Sequence, residues 1–79
     1  MPRYHFHLRE GDGLLEDVEG QEFGDADAAR SEALRNVRAL LAADVLEGRL
    51  DLRGRLEVVE EGGGPLFTIA FRDAVVVRM

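Results

Sequence analysis

The chain has 79 residues, a formal charge of −6 and no cysteine. That length leaves room for one domain, residues 1–79, and one core of this size rarely supplies more than roughly 3–5 kcal/mol of net stability. Without cysteine there is no disulfide frame and no thiolate metal site. No charged-then-apolar leader opens the chain, and no apolar run approaches the roughly 18 residues of a membrane span, so the expectation is a soluble, cytoplasmic protein without membrane contact.

Arg3 to Glu10 alternates, with Tyr4, Phe6 and Leu8 on one face and Arg3, His5, His7 and Arg9 on the other, as in a half-buried strand. Gly11-Asp12-Gly13 is a hairpin signal, because glycine and aspartate tolerate the positive φ of tight connections. A shorter strand is expected at Leu14 to Asp17, a turn at Asp17-Val18-Glu19-Gly20, and an extended approach at Gln21 to Phe23.

The longest periodic segment follows, from Asp25 to Gly48. At about 100° per residue, Ala26, Ala33, Val37, Leu40 and Leu41 share one direction, with Ala29, Leu34 and Val45 flanking it, which predicts an amphipathic helix. Asp25 has the short acceptor of an N-cap and Gly48 is the C′ stop. Phe23, just before the cap, is placed to staple against Ala29 or its neighbours. Arg30 and Asp44 fall close to the apolar stripe. Asp44 sits at the negative end of the helix dipole, which calls for a partner such as Arg53, Arg72 or an N–H of the connector.

Leu50 and Leu52 are expected to anchor the connector Arg49 to Arg53. A strand at Gly54 to Glu61 points Leu56 and Val58 one way and Arg55, Glu57 and Val59 the other. Gly62-Gly63-Gly64-Pro65 is a turn, and from Leu66 the bulky odd positions Phe67, Ile69 and Phe71 face inward. Asp73 breaks that parity, so a bulge or bend is expected there, with Val75 to Val77 forming an edge. The order is strand, strand, helix, strand, strand: an α+β fold in which an antiparallel sheet of about four strands (ββαββ) carries one helix on one face. The other face, with Arg3, His5, His7, Arg9, Arg55 and Glu57, is polar enough to be wet.

Chemistry-bearing residues are few: Ser31, Thr68, Tyr4 and two histidines, with no cysteine, lysine or tryptophan. A nucleophile needs a base within hydrogen-bond reach and an oxyanion site, and no stretch supplies both, so no enzymatic activity and no catalytic residue are expected. His5 and His7, two apart on a strand, share a face. They are the candidate metal or ligand pair, with Glu57 or Glu16 as a further donor, against the plainer reading of two polar residues on a solvent face. Asp12 to Asp25 lacks the alternating oxygen ligands of a calcium loop, and Gly62 to Gly64 precede a strand where a phosphate loop precedes a helix. No cofactor is expected.

Charge is uneven. From Glu10 to Asp27 there are eight acids and no arginine or lysine, and all ten basic residues lie elsewhere and are arginine. This acidic arm repels phosphate, and the arginines are interspersed with acids without exposed aromatics, so nucleic acid is not an expected partner. A basic protein surface would suit it, through Glu10, Asp12, Glu16, Asp17, Glu19 and Glu22, against the plainer reading of a solvated loop that keeps a small protein soluble.

Residues MPRYHFHLREGDG, the D-x-x-G of Asp17 to Gly20, and the A-x-x-E-A of Ala29 to Ala33 resemble a family of small uncharacterised alphaproteobacterial proteins that begin M-P-R-Y/F-x-F. The resemblance spans nearly the whole chain and implies a compact α+β domain of no assigned activity. The departure is Gly62-Gly63-Gly64-Pro65, where D-G-x-P is more usual. Glu32-Ala33, Asn36 and Leu41 are similar to the helix pattern of HicB-like antitoxins, over half the chain, which implies masking of a basic partner by the acidic arm at 10–27. The first expectation is a non-enzymatic domain acting through protein contacts as a homodimer, with that antitoxin-like binder as the alternative and metal or ligand binding at His5 and His7 third.

Overall fold

The computed structural model describes residues 1–79. Strands β1 (Arg3–Glu10), β2 (Gly13–Leu15) and β3 (Gln21–Glu22) precede helix α1 (Ala26–Leu46), and β4 (Arg55–Glu60), β5 (Gly64–Ala70) and a 3-10 turn (Phe71–Asp73) follow it. All pairings are antiparallel, in the order β2-β1-β4-β5, with β3 also on β1. The fold is therefore α+β with five strands. The extra strand is the expected extended approach at Gln21, which pairs with Tyr4 while Glu22 pairs with Arg3. The second strand ends at Leu15, two residues before its expected limit.

Alternation along β1 and β4 puts Leu8 opposite Leu56 and Phe6 opposite Val58 on the helix-facing side. Above them the helix buries Ala29, Ala33, Val37 and Leu41, and Phe71, Val37 and Val58 are the largest side chains fully removed from water. Ala26, Leu40 and Val45 of the expected stripe are exposed. Ala29 and Leu40 lie three turns apart on the same side of the helix, yet only Ala29 is covered, because the helix seats on β4 and the 3-10 turn and its second half leaves the β1–β2 side open.

Asp25 caps the helix by accepting from the Ala28 amide at 2.8 Å. At the other end the Arg49 amide donates to the Asp44 carbonyl and the Gly48 amide to that of Val45, with Gly48 at φ 83°, a Schellman closure. Asp44 is only half-buried, and its partner is Arg49 at 3.6 Å, not Arg53 or Arg72. Arg53 is held by Asp51, two residues before it. Arg30 lies outside the core with its guanidinium 5.1 Å from the centre of the Phe67 ring. Phe23 stacks on Phe6 and tilts against Tyr4, so it closes over β1.

Leu52 packs on the core, but Leu50 is exposed. The β4–β5 register slips at Val58/Val59, leaving Leu66 unpaired just after Pro65, whose ring removes a ladder donor. The irregularity expected near Asp73 is a different one. The strand stops at Ala70 and the chain tightens into the 3-10 turn, which sends Phe71 under the helix against Gly54 and Ala74 into the core. Val75 packs partly on that core, while Val76 and Val77 are exposed and form no edge strand. No helix is long and apolar enough to cross a membrane.

Candidate functional site

Three features outside the core could carry function: the histidine pair, the acidic arm and an apolar groove. The histidines meet a loop that interrupts pairing along one edge of β1. Leu8 to Glu10 pair with β2 and Arg3 and Tyr4 with β3, so Phe6, between them, has no strand partner on that side. Asp17 fills the gap. Its carboxylate accepts from the Phe6 amide at 3.0 Å and from the Gly20 amide at 3.1 Å, so one side chain both pins the loop to the strand and closes the Asp17–Gly20 turn.

The Asp17 peptide then separates the roles of the two imidazoles. Its carbonyl lies 2.7 Å from His5 Nδ1, which must donate because a carbonyl only accepts. Its amide donates to His7 Nδ1 at 3.1 Å, so that nitrogen is bare and the hydrogen of a neutral His7 sits on Nε2. His5 Nε2 faces the Glu61 carboxylate at 3.2 Å. The Asp17 carbonyl, and after it Glu61, hold the His5 pKa above its ordinary value. The rings stack with centroids 6.1 Å apart. Gly20 passes so close beneath that a Cβ there would lie 2.8 Å from His5 Cε1.

No group of three histidine, aspartate or glutamate side chains converges on a common point. Glu57, one sequence candidate for a further donor, is held by Arg9 at 2.8 Å and Arg55 at 3.5 Å, and by lying between them it relieves the like-charge pairing of those arginines across β1 and β4. Glu16 is exposed on the loop. The pair is thus built into the sheet edge as a hydrogen-bonded cluster. Ser31 and Thr68 are exposed on separate elements, and burial pushes the Tyr4 phenol up from its ordinary pKa.

The acidic arm is not one surface. Asp17 is turned inward, Glu22 pairs with Arg3 at 3.1 Å, and Asp25 caps the helix. Glu10, Asp12, Glu16 and Glu19 are exposed and make no ion pair. The groove lies beside them, a recess of about 540 Å³ between α1 and the β1–β2 edge, floored by Phe6, Leu8 and Leu56 and flanked by Leu15 and Leu40. A smaller recess of about 300 Å³ shares Leu8 and Leu15 with it and reaches Glu10. Sequence periodicity places Leu40 in the core because it gives the apolar face of a helix but not the angle at which that helix crosses a sheet. The Asp17 hub had a signal, the Asp-x-x-Gly spacing, which reads as a turn and hides the second bond to β1.

No curated protein and no solved structure matches the chain. A family model described as a domain of unknown function, DUF6894, matches residues 3–72, from the first residue of β1 into the 3-10 turn. The match covers every strand and the helix, and the chain belongs to that family.

Proposed function

We propose that this is a non-enzymatic, cytoplasmic domain that works through protein contacts, as a homodimer joined along β5. The observation that carries the reading is the state of that strand. It hydrogen-bonds β4 on one side and nothing on the other. Edge strands are normally protected by charged residues, yet from Gly62 to Phe71 there is none, and Pro65 guards only its beginning. Leu66 is 43% exposed beside it. A thin core supports the same reading, since only 11 of 79 residues are buried and small domains with little interior gain stability from association. The scarcity of nucleophiles with a base in reach supports a role in contact rather than chemistry.

Sedimentation equilibrium tests it. The native chain is expected to dimerise, and Leu66→Lys with Thr68→Lys, both at exposed positions of β5, to yield a monomer with an unchanged circular dichroism spectrum. A native chain that stays monomeric at the highest soluble concentration refutes the reading.

A further inference from the structure

Beyond self-association, we infer that the groove between α1 and the β1–β2 edge is a docking site for a cationic amphipathic segment of another protein. The floor supplies the apolar half. Leu15 is 68% and Leu40 37% exposed, and Phe6 and Leu8 are only partly buried, which leaves a connected hydrophobic strip on a molecule with little interior to spare.

The rim supplies the charge. Glu10 lines the recess at one end, and Glu16 follows directly on Leu15. Along the helix, Asn36, Ala39, Leu40 and Ala43 line the groove, and Glu47 lies one turn beyond Ala43 on the same side. Glu10, Glu16 and Glu47 make no ion pair within the molecule. The last turn of α1 contains no basic residue, so nothing offsets the negative end of the helix dipole except Arg49 on Asp44. Three unpaired glutamates and the negative end of the helix therefore border one apolar strip. The complement is a segment with leucine-like residues on one side and arginine or lysine on the other, as in helix-in-groove recognition. A nucleic acid or an anionic membrane is repelled by the same rim.

The probe is a synthetic leucine–lysine amphipathic peptide, with a leucine–glutamate peptide of the same pattern as its counterpart, titrated into the ¹⁵N-labelled chain. The expected result is saturable binding of the lysine peptide alone, weakening as salt rises, with shifts centred on Leu8, Leu15 and Leu40. Leu15→Ser with Leu40→Ser should weaken it by roughly tenfold or more, and Glu10→Gln with Glu47→Gln should weaken it and flatten its salt dependence. These positions are exposed or at the rim, and an unchanged denaturation midpoint confirms that the variants fold. No binding, equal binding of the glutamate peptide, or shifts confined to β5 overturn the inference. So does a dimer that dissociates in the leucine double variant, since the groove would then be filled by a second copy. Repeating the titration on the β5 variant keeps this result separate from that of self-association.

Discussion

Asp17 shows how much can hang on one carboxylate. It satisfies the amide of Phe6 in mid-strand and that of Gly20 in the turn, while its own peptide sets the hydrogen of each imidazole. Asp17→Ala leaves both amides without their acceptor and should lower stability by about 1–3 kcal/mol in urea denaturation, a range typical of buried donors left unpaired. Gly20→Ala should also destabilise, because φ is 71° there and the new methyl would meet His5 and the Tyr4 carbonyl. The raised His5 pKa has a definite sign. The folded state holds that proton more tightly than the unfolded state, so its stabilising contribution is complete below the ordinary value of 6.5 and is lost as pH rises through the folded value. An NMR titration of the His5 ring should give a midpoint above 6.5, and Glu61→Gln should lower it without abolishing the shift, since the Asp17 carbonyl is the larger cause. The alternation of Arg3 to Glu10 places both histidines on one face from sequence alone, but the loop that divides their roles comes from ten residues further along and leaves no periodic trace.

Among the elements, α1 was the most legible, since a 21-residue amphipathic run between Asp25 and Gly48 carries its start and stop in its own residues. Asp25→Ala should cost about 1 kcal/mol in a thermal melt, the usual loss for an N-cap. Asp44 changes weight once its surroundings are known. A buried, hydrogen-bonded carboxylate would be costly to remove, but this one is half-exposed against an exposed arginine at the unfavourable end of a dipole, so Asp44→Asn should shift stability by less than about 1 kcal/mol. The junction of β4 and the 3-10 turn was harder to foresee. The valines after Asp73 have strand propensity, and tertiary packing overrides it: the Phe71 amide donates to the Gly54 carbonyl at 3.0 Å and its ring lies where a Gly54 side chain would be. Gly54→Ala should therefore destabilise by about 1–3 kcal/mol, the range of overpacked cores, with the loss read from urea midpoints.

Over the whole molecule the charges are uneven. Glu10, Asp12, Glu16 and Glu19 gather unpaired by β2 and its turns, whereas β5 itself carries no charge and has Arg30 over its Phe67. Salt should then separate the two proposed contacts, weakening capture of a cationic peptide while leaving pairing of the uncharged β5 edges little changed, and sedimentation and titration at two ionic strengths would read both. Neither contact follows from composition, because each depends on where the helix crosses the sheet and which strand lies outermost. The sheet's two margins are also unlike. On the β1 side the outermost strands have three and two residues and are parted by the Asp17 loop, so no further chain can add there in register. Growth by strand addition has a single outlet. The pairing proposed along β5 would thereby stop at two copies, and a chain that lost the loop would expose a second sticky margin and with it a route to fibrils.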